Sequence, residues 1–193
     1  MTEKRFGFIA VIGPPNAGKS TLSNALVGQK VAIVTHKAQT TRARLRAVVM
    51  HEQSQVVLVD TPGIFSGVKK LDKAMVQEAW SGAEEADAVL VVLDASRALP
   101  AETELVLAGV KGTSKPVILV LNKVDAVKRE KLLELTQQLN EAADFTDTFM
   151  VSALKGTGLE ELKNHLANLV PRAHGIILKI WLLMYRHCCW RLR

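Results

Sequence analysis

Cysteine is nearly absent from this sequence of 193 residues. The only two, Cys188 and Cys189, are adjacent, where a disulfide between them would be strained. No disulfide framework is therefore expected, and a reducing compartment fits. Long apolar runs are missing as well, since none reaches the ~18 residues needed to cross a bilayer. No leader is expected, because the chain passes almost at once into Phe6-Gly7-Phe8-Ile9-Ala10-Val11-Ile12, which reads as a buried strand. Internal repeats and low-complexity stretches are also lacking. The expectation is a cytoplasmic monomer.

Acid is the next thing missing, and only locally. The 22 residues from Arg172 to Arg193 contain Arg172, Lys179, Arg186, Arg191 and Arg193 and not one Asp or Glu. Setting those five aside from the 25 Lys plus Arg leaves 20 bases against 19 acids over residues 1–171, so the net charge of +6 is a property of the tail. A nearly neutral body gives no electrostatic ground for a nucleic-acid grip. What the body does have is a core: 48% of the chain is apolar and 23% charged, as in ordinary globular domains.

Short β-branched runs alternate with amphipathic stretches as far as Val170. Strands are predicted at 6–13, 44–50, 55–60, 88–94, 116–122 and 148–152, with helices near 19–27, 69–85, 100–111, 128–142 and 158–169. Continuous apolar runs such as Val89-Leu90-Val91-Val92-Leu93 belong in a sheet covered on both faces. Only the pair within 44–60 lacks an intervening helix, so it reads as an antiparallel hairpin at one edge. The predicted fold is a three-layer, doubly wound α/β domain of the P-loop NTPase kind. Its six-stranded sheet is mostly parallel with one antiparallel edge strand, and its ligand lies at the carboxyl ends of the strands.

The first strand ends in Gly13-Pro14-Pro15-Asn16-Ala17-Gly18-Lys19-Ser20-Thr21, a full match to the phosphate-loop pattern at a strand-to-helix junction. Glycines let backbone amides wrap an anion, and the following helix adds its N-terminal dipole. Lys19 is expected to reach the β- and γ-phosphates, and the Ser20 hydroxyl to ligate Mg²⁺. Val57-Leu58-Val59-Asp60-Thr61-Pro62-Gly63 ends a buried strand in a carboxylate and a glycine. There Asp60 can hold Mg²⁺ through water, and the Gly63 amide can bond the γ-phosphate and sense its loss. A threonine on the linker between Gly28 and Arg46 would complete the Mg²⁺ shell. Of Thr40 and Thr41, Thr41 is favoured.

Leu121-Asn122-Lys123-Val124-Asp125 decides the base. The Asp125 carboxylate can accept from N1–H and from the exocyclic amine of guanine, a pair that adenine does not present. Asn122 would brace the loop and meet N7, while the Lys123 stem lies along the ring face. In Ser152-Ala153-Leu154-Lys155-Gly156 the Ala153 amide is a candidate partner for guanine O6. An ATPase with a phosphate loop is the reading that the Asn122–Asp125 loop argues against.

With these residues together, the sequence resembles the Era GTPases of the translation-factor-related class. The likeness covers 6–171 and rests on the runs at 13–21, 60–63, 122–125 and 152–156, together with Lys37-Ala38-Gln39-Thr40-Thr41-Arg42. The resemblance implies slow GTP hydrolysis that times a switch in small-ribosomal-subunit assembly, with the 3′ end of the small-subunit rRNA as partner. Ile64 follows Gly63 where Ras-type enzymes carry a water-orienting Gln, so water must be positioned otherwise. Asn16 matches the position at which potassium-dependent relatives ligate K⁺ through a side-chain oxygen. Bracing of the loop is the equal alternative for Asn16.

The resemblance also implies a linker and a KH domain after the GTPase domain, and 172–193 contains no GxxG loop of the kind such domains use on RNA. The expected organisation is therefore a GTPase domain at 1–171 followed by a short apolar and basic tail at 172–193, with no KH domain. Composition changes at Pro171, since the tail holds Trp181, Trp190 and the only tyrosine, Tyr185. A frame-shifted reading of what was once linker and KH domain is one account of it. The rival is a helix lying on the inner membrane surface, although Ile176 to Tyr185 is apolar all round except at Lys179. The alternative to an active GTPase is a truncated guanine-nucleotide-binding module without productive turnover or RNA binding.

Overall fold

The computed structural model describes residues 4–28, 45–60, 80, 83–97 and 101–172. Strand β1 (Arg5–Ile12) leads through a loop into helix α1 (Lys19–Val27), and strands β2 (Leu45–His51) and β3 (Ser54–Asp60) form a hairpin. Strand β4 (Ala88–Asp94), helix α2 (Ala101–Gly112), strand β5 (Val117–Asn122), helix α3 (Arg129–Ala142), strand β6 (Asp147–Met150) and helix α4 (Leu159–Leu169) follow. The sheet runs β2-β3-β1-β4-β5-β6, parallel throughout except for β2 at one edge. The predicted three-layer architecture and its antiparallel edge strand are what the chain adopts.

Alternation along the strands sorts the core into two layers. Ile9, Val11, Leu58 and Leu90 face α1 and α4, where Leu22 and Leu162 meet them. Ala10, Ile12, Val91 and Leu119 face the other way, toward Val106 of α2 and Leu135 of α3. Burying such a side chain contributes about 1.5–3 kcal/mol, which is why the strands are apolar in unbroken runs and not at every second position. Helix α3 keeps the stripe expected of a one-sided helix: Leu132, Leu135 and Leu139 are buried while Arg129, Glu130, Lys131 and Glu134 are exposed.

One difference from the sequence prediction concerns the end of a strand. The last strand stops at Met150, short of the predicted 148–152. Val151 still donates to the Leu121 carbonyl at 2.8 Å, but the chain then turns through a glycine-bearing stretch in which Ser152 bridges Thr157 and Gly156 donates to the Ser152 carbonyl. Of the predicted helix 69–85, all but 80 and 83–85 lies outside the described residues, as does the tail from 173 on. The described chain closes on itself at the far end of the sheet. There Phe6 donates its amide to the Pro171 carbonyl at 3.1 Å, and the Arg5 guanidinium donates to the carbonyls of Asn168 and Val170 at 2.7 and 3.1 Å. No helix among the described residues is long and apolar enough to cross a membrane.

Candidate nucleotide site

Gly13 follows β1 directly, and the loop from there to Gly18 is shaped by what cannot fit. A Cβ on Gly13 would run into the carbonyl oxygen of Val92 in β4. Gly18 takes φ +90° as the N-cap of α1, and a Cβ there would collide with the Asn122 side-chain amide. Helix α1 then starts with no side-chain cap and no acid in its first turn, so no acid of its own offsets the N-terminal dipole that favours an anion. This is the chemistry a phosphate group fits, and it is a property of the described backbone.

Lys19 is buried and folds back over this loop, its ammonium donating to the Gly13 and Pro14 carbonyls at 2.9 Å each. Ser20 and Thr21 are exposed beside it. Pro14 is buried, Pro15 half-buried and Ala17 buried, whereas Asn16 is exposed with φ +60°, a left-handed conformation that Asn tolerates better than most residues. Asp60 ends β3 with its backbone in register with Val11, two residues before Gly13. Thr41, Thr61, Pro62 and Gly63 lie outside the described residues, as does the run from Lys37 to Arg42.

The base loops are joined to the phosphate loop through one side chain. Asn122, 1% exposed at the end of β5, donates from Nδ2 to the Ala17 carbonyl at 3.0 Å. Its Oδ1 accepts from the Lys123 amide at 2.8 Å and from the Ala153 amide at 3.1 Å. The buried amide group is thus spent on fastening three loops together, the bracing part of its expected role. The Ala153 amide, proposed from sequence as a partner for O6, here donates to Asn122. Ser152, fully buried, donates its hydroxyl to Asp125 Oδ1 at 2.6 Å, and the Lys155 ammonium lies 3.8 Å from Oδ2. The Ser152 bond above all, with a backbone amide bond and then the Lys155 charge, outweighs desolvation and keeps the Asp125 carboxyl below the usual carboxylate range, so it is an ionised acceptor at neutral pH. Leu154, next along, is 82% exposed.

Lys123 takes φ +64° and sends its ammonium to the Asn16 carbonyl at 2.8 Å and to Asp94 Oδ2 at 2.6 Å. Asp94 was not singled out from the sequence. Its place at the end of an apolar strand is all that the sequence offers; that its Cα pairs with that of Asn122 across β4 and β5 is visible only in the fold.

The family model for 50S ribosome-binding GTPases matches residues 8–123, from β1 through the Asn122 loop. The chain belongs to this family. Similar proteins include Era GTPases. That of Bradyrhizobium diazoefficiens is 54% identical over 167 residues, covering 86% of this chain and 54% of the relative. That of Agrobacterium fabrum is 51% identical over 167 residues, covering 86% of this chain and 53% of the relative. The chain therefore spans about half the length of the curated relatives it matches. Among solved structures, Era in complex with MgGDPNP and nucleotides 1506–1542 of 16S ribosomal RNA superposes with a TM-score of 0.73 at 36% identity, over 90% of this chain and 60% of that one. An Aquifex aeolicus Era variant bound to GDP·AlF4⁻ gives 0.71 at the same identity and coverage. The GTPase fold is thereby fixed by likeness as well as by its own strand order.

Proposed function

We propose that this chain binds guanine nucleotide at the edge formed by the loops 13–20, 122–125 and 152–155, and hydrolyses GTP slowly to GDP and phosphate as a switch. The observation that supports it most is the Asn122 side chain, which ties the phosphate loop to both base loops and so fixes the span between phosphate and base. The Asp125 carboxylate, oriented by Ser152, reads the guanine edge. Lys19 turns its ammonium from the loop carbonyls to the β- and γ-phosphates when these enter. Ser20, Asp60 and Thr41 are the residues that would hold Mg²⁺, whose charge would offset the charge developing on the phosphates. The Gly63 amide contacts the γ-phosphate and, with Thr41, reports its loss.

Single-turnover hydrolysis of GTP with Mg²⁺ tests this reading. Unassisted Ras-type turnover is of order 10⁻⁴ per second. A rate on that scale supports a switch, whereas tight GTP binding with no phosphate release supports the module without turnover. Asn16 adds a second measurement. If its side-chain oxygen holds K⁺ near the phosphates, that charge does the work of an arginine finger, and hydrolysis in K⁺ should exceed that in matched Na⁺ several-fold. Equal rates leave Asn16 with the bracing role alone.

Small-ribosomal-subunit maturation is the process proposed for this switch, because a similar Era was crystallised on 16S rRNA. In this reading the rRNA grip lies outside residues 1–171, so residues 1–171 alone should bind GTP while leaving the 3′-terminal 16S segment unbound. Tight, salt-resistant binding of that RNA would assign the grip to the GTPase domain itself.

A further inference from the structure

The ion pair between Lys123 and Asp94 has the geometry of a built contact. The Asp94 side chain is 9% exposed at the end of β4. Its Oδ1 accepts from the Ser96 amide at 2.9 Å and from the Ser96 hydroxyl at 2.6 Å, which fixes the carboxylate plane. Its Oδ2 is left for the Lys123 ammonium at 2.6 Å, with the exposed Arg97 further off at 3.8 Å. The backbone repeats the linkage, because Ala95 donates its amide to the Asn122 carbonyl at 2.9 Å. Burial alone would raise the Asp94 carboxyl, but the bonds from Lys123 and Ser96 outweigh it and hold it below the ordinary range, so the group is a full counter-charge at neutral pH.

We propose that Asp94 is a positioning residue for nucleotide retention, acting through Lys123. It draws the ammonium down onto Asn16 of the phosphate loop and so lays the lysine stem across the place of the base. The inference rests on the guanine-nucleotide reading. A lysine has four rotatable bonds and no preferred end point on a partly open surface. Here one end is the Asn16 carbonyl at 2.8 Å, which is neutral and weak as an anchor for a cation, and the other is a carboxylate immobilised by two bonds of its own. Without the carboxylate the ammonium is free to move, either to solvent or toward entering phosphates. Asp94 therefore assigns the two lysines separate tasks, Lys19 on phosphate and Lys123 on base. It also couples the end of β4 to the lifetime of the bound state.

The test is the release rate of fluorescent GDP from four proteins: wild type, Asp94→Asn, Lys123→Met, and the double variant. Asparagine keeps the Oδ1 acceptor for Ser96 and removes the charge facing Lys123, and methionine keeps an apolar stem without the ammonium. Asp94→Asn should speed GDP release about tenfold on the scale of a charged hydrogen bond. It should produce no further acceleration in the Lys123→Met background. Asp94→Glu, which restores the charge on a longer stem, should recover part of the slow release. A role for Asp94 only in the turn at 94–97 would show the same fold-change in both backgrounds, and that result would overturn the proposal. So would an unchanged release rate in Asp94→Asn. A wild type that fails to bind GDP at all would overturn the guanine-nucleotide reading and this inference with it, an outcome distinct from both.

Discussion

At Asp125 a carboxylate on a surface loop is oriented from below by a buried hydroxyl and kept ionised by that bond. An amide in its place would present one donor where guanine offers only donors, so Asp125→Asn should weaken GTP binding by roughly 10–100-fold, the scale of a charged hydrogen bond, and shift preference toward xanthine nucleotides. Competition binding checks this, and an unaltered GTP preference would remove Asp125 from the base pocket. Asp94 makes a different prediction because it is linked to folding. Its carboxyl is held below its ordinary value of 3.8 in the folded chain, so it contributes stability that is fully present above that pH and is lost as pH falls through the lowered folded value. Urea unfolding should find Asp94→Asn less stable than wild type at pH 7 and at pH 5, with the gap closing below about pH 4. A gap that persists unchanged at pH 3 would count against it. These two residues also mark what the sequence could disclose about the site. Asp125 is a candidate from sequence because its spacing from Asn122 is a motif, whereas the contact of Asp94 with Lys123 depends on β4 lying beside β5, which no spacing along the chain states.

Among the elements, the junction from β1 to α1 carries the tightest requirement. Gly18 caps α1 in a left-handed conformation and faces the Asn122 amide at a distance no side chain can share. Gly18→Ala should therefore destabilise the fold by about 1–3 kcal/mol through backbone strain, and more through displacement of Asn122 from Ala17. Chemical denaturation measures the first effect. Loss of GDP affinity beyond the stability change measures the second, and full retention of affinity would show that the Asn122 link is not needed for binding. Gly18 was readable as part of a phosphate-loop pattern, but its neighbour across the sheet was not. The strands themselves were readable nearly to the residue, because runs such as Val117 to Leu121 admit only a sheet buried on both faces. The end of β6 was misplaced because Val151 continues the apolar pattern and bonds Leu121, while Ser152 already belongs to a turn.

Across the whole molecule, the site exists only when the chain is folded. Asn122 reaches Ala17 across 105 positions of sequence and Ala153 across 31, so no fragment of the unfolded chain holds phosphate and base contacts together. Alternation of strands and helices was enough to predict a doubly wound sheet, and with it the edge at which these loops would gather. The order β2-β3-β1-β4-β5-β6 was beyond it, because order depends on which helix crosses which face. The thermodynamic consequence is direct. A ligand that binds the folded state and not the unfolded one stabilises it by about 2.7 kcal/mol at a hundred times its dissociation constant. For a domain of this size each kcal/mol moves the melting temperature by roughly 2–4 °C, so saturating GDP with Mg²⁺ should raise Tm by about 5–10 °C. ATP at the same concentration should raise it far less, because the Asp125 acceptor finds no donor pair on adenine. Thermal unfolding followed by circular dichroism with GDP, with ATP and without nucleotide makes the comparison. Equal shifts from GDP and ATP would mean that the phosphate loop binds without the base loops, and no shift from GDP would mean that the three loops do not act as one site.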